Sequence, residues 1–240
     1  MKQFAIVGLS NFGKRMLEEL SQIDVEILIV DKSRDRVELY KDKANASYIT
    51  DVKNEETIKK IIPEDIDAVI IDLDDSIEAS ILVTNYLKKM GVKNIIVKAD
   101  TDEHGEILSI VGASKVVFPN REAAKRITPL LVSSLMFNYM PISSGLVMAE
   151  IKIPKSFHGK TLIEADLRSA HGINVIAKRK EGSSDYEFFA PNYKMQPDDI
   201  FLVVGKDTDI FSFSDAMIPV ERRENLMNKL RNFFTQRGST

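Results

Sequence analysis

The segment Gly8-Leu9-Ser10-Asn11-Phe12-Gly13 follows a short apolar run and precedes a predicted helix. Gly8 permits a tight turn and Gly13 permits close packing of the helix on the strand, while free N–H groups at the helix start can bind a phosphate. Asp31 closes the next apolar run, close to the expected spacing, where an acid accepts hydrogen bonds from a ribose. These residues predict a nucleotide site in a strand-turn-helix unit.

This loop lacks the middle glycine of the G-x-G-x-x-G fingerprint, because Ser10 stands where the backbone would come closest to a pyrophosphate. The serine adds bulk near the phosphates, although its hydroxyl can also donate a hydrogen bond. An acid at Asp31, followed by Lys32, favours a free ribose 2′-hydroxyl over a 2′-phosphate, so NADP ranks below NAD or ATP. Two alternatives stay open: an ordinary strand-to-helix turn, and a helix N-cap at Asp31 in competition with Ser33.

Short apolar runs alternate with amphipathic segments from residue 1 to about residue 120. This alternation predicts an α/β, Rossmann-like, doubly wound parallel sheet. The predicted strands are 4–7, 26–30, 47–49, 68–73, 94–97 and 115–118. The predicted helices are 12–21, 34–43, 55–61, 77–90 and 103–111.

Polar residues follow the third, fourth and fifth predicted strands. Thr50 and Asp51 are candidate ligand contacts or caps of the next helix. Asp72 begins an acidic run beside the expected switch point of the sheet, where ligands bind. Acids at this place repel phosphates unless a cation or a ribose intervenes. The alternative is that an acid of this run caps the next helix. Lys98 either offsets phosphate charge or pairs with these aspartates.

The pattern changes after residue 120. A helix is predicted over 121–138, to be buried on its own domain or to form a dimer contact. A small α+β domain follows, with strands 147–153, 173–177, 186–189 and 200–204 and a helix at 161–167. The predicted domains are 1–120 for nucleotide binding, 121–142 as crossover helix and linker, 143–206 as a regulatory domain and 207–240 as a helical tail.

Composition excludes several classes of protein. The chain has 240 residues, 44% of them hydrophobic, a net charge of -3 and no cysteine. This balance favours a soluble protein without nucleic-acid binding, disulfides or thiolate metal sites, and the scattered histidines predict no metal site. We expect no secretory signal and no membrane span. A Tyr-x-x-x-Lys pair and a Gly-x-Ser-x-Gly elbow are both absent, so no catalytic residue is predicted.

The order of these motifs over about residues 2–206 resembles the RCK (regulator of K⁺ conductance) family, and more narrowly the TrkA/KtrA-type subunits of bacterial potassium uptake systems. The segments that carry the resemblance are the glycine loop 8–13, Val30-Asp31, Ile49-Thr50-Asp51, 95–99, 111–113, 117–119, Pro154, Gly159-Lys160-Thr161-Leu162, Leu167-Arg168 and Pro197-Asp198-Asp199.

The resemblance implies a regulatory subunit and not an enzyme. Such proteins form dimers and then an octameric ring, with themselves or with a paralogous chain, on the cytoplasmic side of a membrane potassium pore. Exchange of ATP for ADP, or binding of NAD(H), changes the shape of the ring and gates the pore. Relatives that sense ATP often carry an arginine where this chain has Asn11, and Lys14 or Arg15 could replace it only if the helix presents them to the ligand.

The resemblance also implies a second ligand site in the small domain, where KtrA-like proteins can bind cyclic di-AMP at a dimer interface. Ile173 and Val175 would stack a base, and Arg168 or Asn174 would bond its edge or phosphate, with Pro191 nearby. A strand that packs its apolar face into the local core is the alternative. The sequence therefore predicts a nucleotide-gated regulator of potassium uptake, and an NAD(H)-dependent oxidoreductase with a short second domain is the alternative function.

Overall fold

The computed structural model describes residues 1–74 and 76–215, which divide into two compact units at residue 122, within one helix. The strands of the first unit are β1 Gln3–Val7, β2 Glu26–Asp31, β3 Ala46–Ile49, β4 Ala68–Ile71, β5 Ile95–Lys98 and β6 Lys115–Val117. Its helices are α1 Asn11–Leu20, α2 Arg34–Tyr40, α3 Glu55–Ile61, α4 Ile77–Lys89 and α5 Asp102–Val111, with a short 3₁₀ turn at Lys41–Lys43. Helix α6, Pro119–Val132, contains the division.

The six strands of the first unit form one parallel sheet in the order β3-β2-β1-β4-β5-β6. Both faces of this sheet are covered, because alternate residues of β1 belong to different apolar clusters: Ala5 and Val7 pack with α3, α4 and α5, and Ile6 packs with α1 and α2. Burial on both faces explains the continuous apolar runs of the sequence. The predicted doubly wound sheet is confirmed, and its switch point lies between β1 and β4.

The second unit is built on an antiparallel sheet in the order β7-β8-β10-β9. Its strands are β7 Met136–Ser143, β8 Leu146–Lys152, β9 Asn174–Lys180 and β10 Asp199–Lys206. Its helical segments are a 3₁₀ turn at Lys155–Phe157 and the short helices α7 Leu162–Ala165, α8 Leu167–His171 and α9 Asp207–Phe213. Side chains from the sheet and these helices form one apolar cluster.

The predicted helix over 121–138 is wrong in its last third, and so is the linker assigned up to residue 142. Helix α6 ends at Val132, where the Ser133 hydroxyl accepts the N–H of Leu135 and donates to the carbonyl of Ser214. Residues 136–143 instead form β7, which pairs with β8 as an edge strand. Residues 144–145 join β7 to β8 as a tight hairpin, and this strand pairing outweighs the helical spacing predicted over 121–138.

The predicted strand at 186–189 is also wrong. Glu187 forms a single backbone bridge with Lys178 of β9, and its neighbour Phe188 is exposed, so the segment pairs with the sheet at one residue only, although the Phe189 ring packs on Phe201 of β10. The predicted helix 161–167 is two short helices, because Asp166 adopts a left-handed backbone with φ 43° between them. The predicted helical tail begins with α9, and its continuation from residue 216 lies outside the described residues.

His104 lies on α5. The side chain is buried, and its Nε2 lies 2.8 Å from the Ser80 hydroxyl of α4. Burial lowers the pKa of His104; the nearby Asp100 opposes this effect and Lys98 adds to it. The packed helix pair α4–α5 therefore contains a histidine that resists protonation.

We expect the stability of the protein to fall as the pH drops below about 6.5, the ordinary pKa of histidine, because the unfolded chain then binds a proton that folded His104 resists. Urea unfolding at about pH 8 and about pH 5.5 measures this loss. In His104→Gln the loss should be smaller than in the wild type. His171→Gln, which replaces an exposed histidine, should keep the wild-type loss; equal losses in all three proteins would contradict the assignment.

Candidate ligand site

A cleft lies at the carboxyl ends of β1–β4, at the switch point of the parallel sheet. It is lined by Gly8, Val30, Asp31, Lys32, Arg36, Thr50, Asp51, Val52, Lys53, Asp72, Leu73, Asp74, Ser76 and Ala79. Six of the predicted site residues are among these: Gly8, Asp31, Lys32, Thr50, Asp51 and Asp72. Ser10, Asn11, Phe12, Gly13 and Lys98 lie outside the lining that the described residues form.

Both glycines of the loop are required by close backbone approaches. Gly8 has φ +95°, and a Cβ at this position would lie 1.9 Å from the carbonyl oxygen of Asp72. A Cβ on Gly13 would lie 2.1 Å from the carbonyl oxygen of Gly8. Contacts this short exclude any side chain, so the turn after β1, the start of α1 and the end of β4 are packed backbone to backbone.

The N-terminus of α1 faces a carboxylate of the protein itself. The N–H groups of Phe12 and Gly13 both donate to Oδ2 of Asp72, each at 2.9 Å. Asp72 is 1% exposed, and its Oδ1 has no hydrogen-bond partner among the described residues. Ser10 occupies the N-cap position with no side-chain capping bond, and Asn11 is exposed. The groups predicted to bind a phosphate therefore bind Asp72.

Lys98 pairs with acids, as one of its two predicted roles requires. Its Nζ lies 3.6 Å from Oδ1 of Asp72 and 3.3 Å from a carboxylate oxygen of Asp100. Burial lowers the pKa of Lys98, but the attraction of the two carboxylates outweighs it and the pKa is raised. Lys98 thus remains charged and compensates the buried Asp72.

Asp31 is buried and is held by backbone on both of its oxygens. Its Oδ2 accepts the N–H of Leu9 at 2.7 Å, and its Oδ1 accepts the N–H of Ser33 at 2.7 Å. Ser33, not Asp31, caps α2, because its hydroxyl accepts the N–H of Arg36. A carboxylate oxygen has two acceptor sites, so Asp31 retains capacity for a ribose hydroxyl, and that contact stays a prediction.

Thr50 and Asp51 line the cleft after β3 and do not cap α3. The backbone N–H of Thr50 donates to the carbonyl of Asp31, and Oδ1 of Asp51 accepts the N–H of Lys53. Asn54 caps α3, since its side chain accepts the N–H of Glu56. The hydroxyl of Thr50 and one oxygen of Asp51 have no bond assigned to them in the described part of the chain, and their contact with a ligand stays a prediction.

Arg36 is the functional candidate that sequence reasoning missed. Its Nη1 lies 2.7 Å from Oδ2 of Asp74 and 3.6 Å from Oδ2 of Asp31, which joins the ends of β2 and β4 across the cleft. Burial raises the pKa of Asp74, but the Ser10 hydroxyl and the guanidinium outweigh it and lower the pKa. Arg15, considered for this role, is exposed and pairs with Glu18 instead. The signal available in the sequence was the position of Arg36 in the first turn of the helix that follows β2.

The two ends of this cleft offer different groups to a ligand. The end near β2 and β3 offers Asp31 and Thr50 beside the buried Val52, which suits a ribose and an apolar ring. At the other end the Asp72 carboxylate occupies the N–H groups of α1. The first end thus offers hydrogen-bond acceptors to a ribose, and at the second end the N–H groups of Phe12 and Gly13 are already bound.

Only some of the residues predicted to bind a second ligand are exposed on the second unit. Arg168, Asn174 and Pro191 are exposed, but Ile173 is 1% exposed within the apolar cluster, so the prediction that it stacks a base is wrong. Val175 packs against the same cluster. A separate depression nearby is lined by residues that include Phe157, Ala170, His171, Gly172, Asp209 and Phe213. The burial of Ile173 agrees with the alternative, in which this segment packs its apolar face into the local core.

Together, a parallel sheet with a cleft at its switch point and a small antiparallel sheet define a two-domain protein whose first unit has the architecture of nucleotide-binding folds. The family model of the TrkA-N domain matches residues 4–119, and that of the TrkA-C domain matches residues 146–217. The chain is 35% identical over 217 residues to the Ktr system potassium uptake protein C of Bacillus subtilis (strain 168), covering 90% of this chain and 98% of the relative. It is 29% identical over 232 residues to the Ktr system potassium uptake protein A of Vibrio alginolyticus, covering 96% and 97%.

Solved structures show the same fold. The GsuK RCK domain superposes with a TM-score of 0.61 at 16% identity, covering 91% of this chain and 48% of that chain. The GsuK channel bound to NAD superposes with a TM-score of 0.62 at 16% identity, covering 92% and 40%. This chain therefore spans about half or less of the GsuK chains. The protein belongs to the TrkA/Ktr family of RCK-type potassium uptake proteins.

We expect Arg36→Gln to lower the free energy of unfolding by about 1 kcal/mol, because it leaves Asp74 and the buried Asp31 without their cation. Urea unfolding at neutral pH measures the change. Arg34→Gln is the matched control: it removes the same charge from the same helix, but Arg34 is exposed and lies 4.0 Å from Glu38. Equal effects of the two substitutions would show that the Arg36 pairs do not stabilise the fold.

Proposed function

We propose that this protein is a regulatory subunit of a bacterial potassium uptake system. The observation that carries the proposal is the match of the chain, over almost the full length of its Ktr C relative, with a TrkA-N domain followed by a TrkA-C domain. Among the described residues, no helix is long and apolar enough to cross a membrane. A separate pore subunit would then carry the ions, and this chain would act on it from the cytoplasmic side.

The charges of the cleft support a binding role over a catalytic one. Asp31 and Asp72 accept backbone N–H groups, and Arg36 and Lys98 pair with carboxylates. Groups used in this way hold backbone segments together and are poorly placed to exchange protons with a substrate. We therefore favour a regulator over the oxidoreductase alternative.

The proposed assembly is a dimer that forms a ring with further copies or with a paralogous chain. Helix α6 supports it, because the large apolar residues Ile127, Leu131 and Val132 are exposed on it, Leu131 to 79%. Three such residues on one helix of 14 residues form an apolar surface that a second copy can cover. We propose α6 as the dimer contact.

The proposed ligands are an adenine nucleoside or nucleotide in the cleft at the end of β1–β4 and, with less support, a cyclic dinucleotide on the second unit near Arg168, Asn174 and Pro191. Asp31, with Lys32, Thr50 and Asp51, would hold the ribose and base in the cleft. A ligand regulates such a protein only if it binds two conformations of the assembly with different affinity. Val175 and the buried Ile173 would pack beneath the residues that contact the cyclic dinucleotide.

Complementation tests the function. The chain is expressed with a Ktr-type pore subunit in a bacterium that lacks its own potassium uptake, and growth and rubidium uptake are measured at limiting potassium. We expect the pore with this chain to transport faster than the pore alone, because the regulator stabilises the open pore. No gain over the pore alone, with the chain present and folded in the same cells, would overturn the proposed function.

The dimer contact is tested by Leu131→Asp, which places a charge on the exposed apolar surface of α6. We expect the molar mass from light scattering to fall toward that of one chain, because burying an unpaired carboxylate strongly disfavours association. Ile110→Asp on α5 is the matched control, since Ile110 is 77% exposed, and this variant should keep the wild-type mass. An unchanged mass in Leu131→Asp would exclude this contact.

A further inference from the structure

The carboxylate of Asp72 lies where an anionic ligand would bind to α1. Its Oδ2 receives the N–H groups of Phe12 and Gly13 at 2.9 Å each, in the geometry that a helix N-terminus offers to a phosphate oxygen. Helix α1 has ten residues, so its N-terminus carries a developed dipole. The anion that satisfies this dipole is part of the chain.

Asp72 has little freedom to move aside. Its N–H donates to the carbonyl of Val7 at 2.9 Å, which continues the β1–β4 pairing, and its carbonyl oxygen leaves no room for a Cβ on Gly8. The side chain is 1% exposed, and its Oδ1 points into the protein without a hydrogen-bond donor among the described residues. The backbone therefore delivers this carboxylate to the N-terminus of α1, and only a change of side-chain rotamer could withdraw it.

The two cations that pair with Asp72 and Asp74 are each shared with a second carboxylate. Lys98 is shared between Asp72 and Asp100, and Arg36 is shared between Asp74 and Asp31. Four carboxylates thus share these two cations, while the other lysines of the lining, Lys32 and Lys53, follow β2 and β3, and Lys53 pairs with Glu78. A ligand pyrophosphate would add negative charge beside Asp72 and Asp74 and would compete with Asp72 for the same N–H groups.

We propose that Asp72 is a built-in substitute for the ligand phosphate, so that the cleft selects adenine nucleosides without a pyrophosphate and excludes ADP, ATP and NAD. This inference rests on the proposed function in one respect, the binding of an adenine nucleoside in this cleft. The inferred ligand is a nucleoside: Asp31 holds its ribose, its base lies beside Thr50 and Val52, and it places no anionic group at α1. The chain would then respond to a different ligand from a regulator that senses the phosphates of ATP.

The test is calorimetric titration of the full-length protein with adenosine, ADP, NAD⁺ and inorganic pyrophosphate. Asp72→Ala removes both the charge and the volume of the carboxylate. Asp72→Asn removes the charge but keeps an oxygen that can accept the N–H groups of Phe12 and Gly13. Asp100→Asn is the matched control, because it removes the other carboxylate beside Lys98 without touching α1. Circular dichroism and thermal unfolding establish that each variant is folded.

We expect the wild type and Asp100→Asn to bind adenosine at least about tenfold more tightly than ADP or NAD⁺. Asp72→Ala should bind ADP and pyrophosphate at least about tenfold more tightly than the wild type does, with adenosine affinity within about threefold. Asp72→Asn should gain less than Asp72→Ala, since the amide oxygen still occupies the N-terminus of α1. An affinity for ADP and pyrophosphate that is highest in Asp72→Ala, lower in Asp72→Asn and lowest in the wild type is specific to displacement of a resident anion.

Three results would overturn the inference. The first is wild-type binding of ADP or NAD⁺ as tight as that of adenosine, and the second is a folded Asp72→Ala that gains no affinity for ADP or pyrophosphate. The third is failure of every variant to bind adenosine, which would also remove the proposed nucleoside ligand. Complementation is measured separately, so loss of the regulatory function would leave the ligand preference of the cleft standing.

Discussion

The structure of the candidate site depends on one close approach, between the turn after β1 and the backbone that follows β4. At Gly8 the distance leaves no room for a side chain against the carbonyl of Asp72, and at Gly13 it leaves none against the carbonyl of Gly8. These contacts bring the start of α1 to the end of a strand that lies 60 residues away along the chain. The identity of the residue at position 72 therefore decides what the N-terminus of α1 binds.

A consequence of this packing is that the buried charged groups of the cleft already have partners within the protein. Backbone N–H groups satisfy the buried acids Asp31 and Asp72, and the cations Arg36 and Lys98 bridge strand ends. Such a site is stable without a ligand, because few of its buried polar groups depend on one. A ligand must then gain its affinity from the ribose and base end, and it can regulate only through a difference in binding between two states of the assembly.

The first unit could be predicted closely from the sequence and the second could not. In the first unit the central strands are short apolar runs buried on both faces, and helices α2 and α3 begin at side-chain caps, so local pattern and final structure agree. In the second unit, residues 136–138 are predicted as helix but belong to β7, which forms a hairpin with β8, and residues 186–189 alternate like a strand but pair with β9 at one bridge. The apolar residues of a short segment suit a helix or a strand, so the strand that the segment pairs with decides between them.

The sequence by itself determined the order of the elements, the need for glycine at positions 8 and 13 and the acids at the ends of β2 and β4, because turn chemistry and apolar periodicity act over a few residues. Only the tertiary structure decided how these acids are used. It placed Asp72 on the N–H groups of α1, Arg36 on Asp74 at a separation of 38 residues and His104 against Ser80 at a separation of 24. Ion pairs and hydrogen bonds of this kind arise when the sheet brings strand ends together, and no local spacing of residues encodes them.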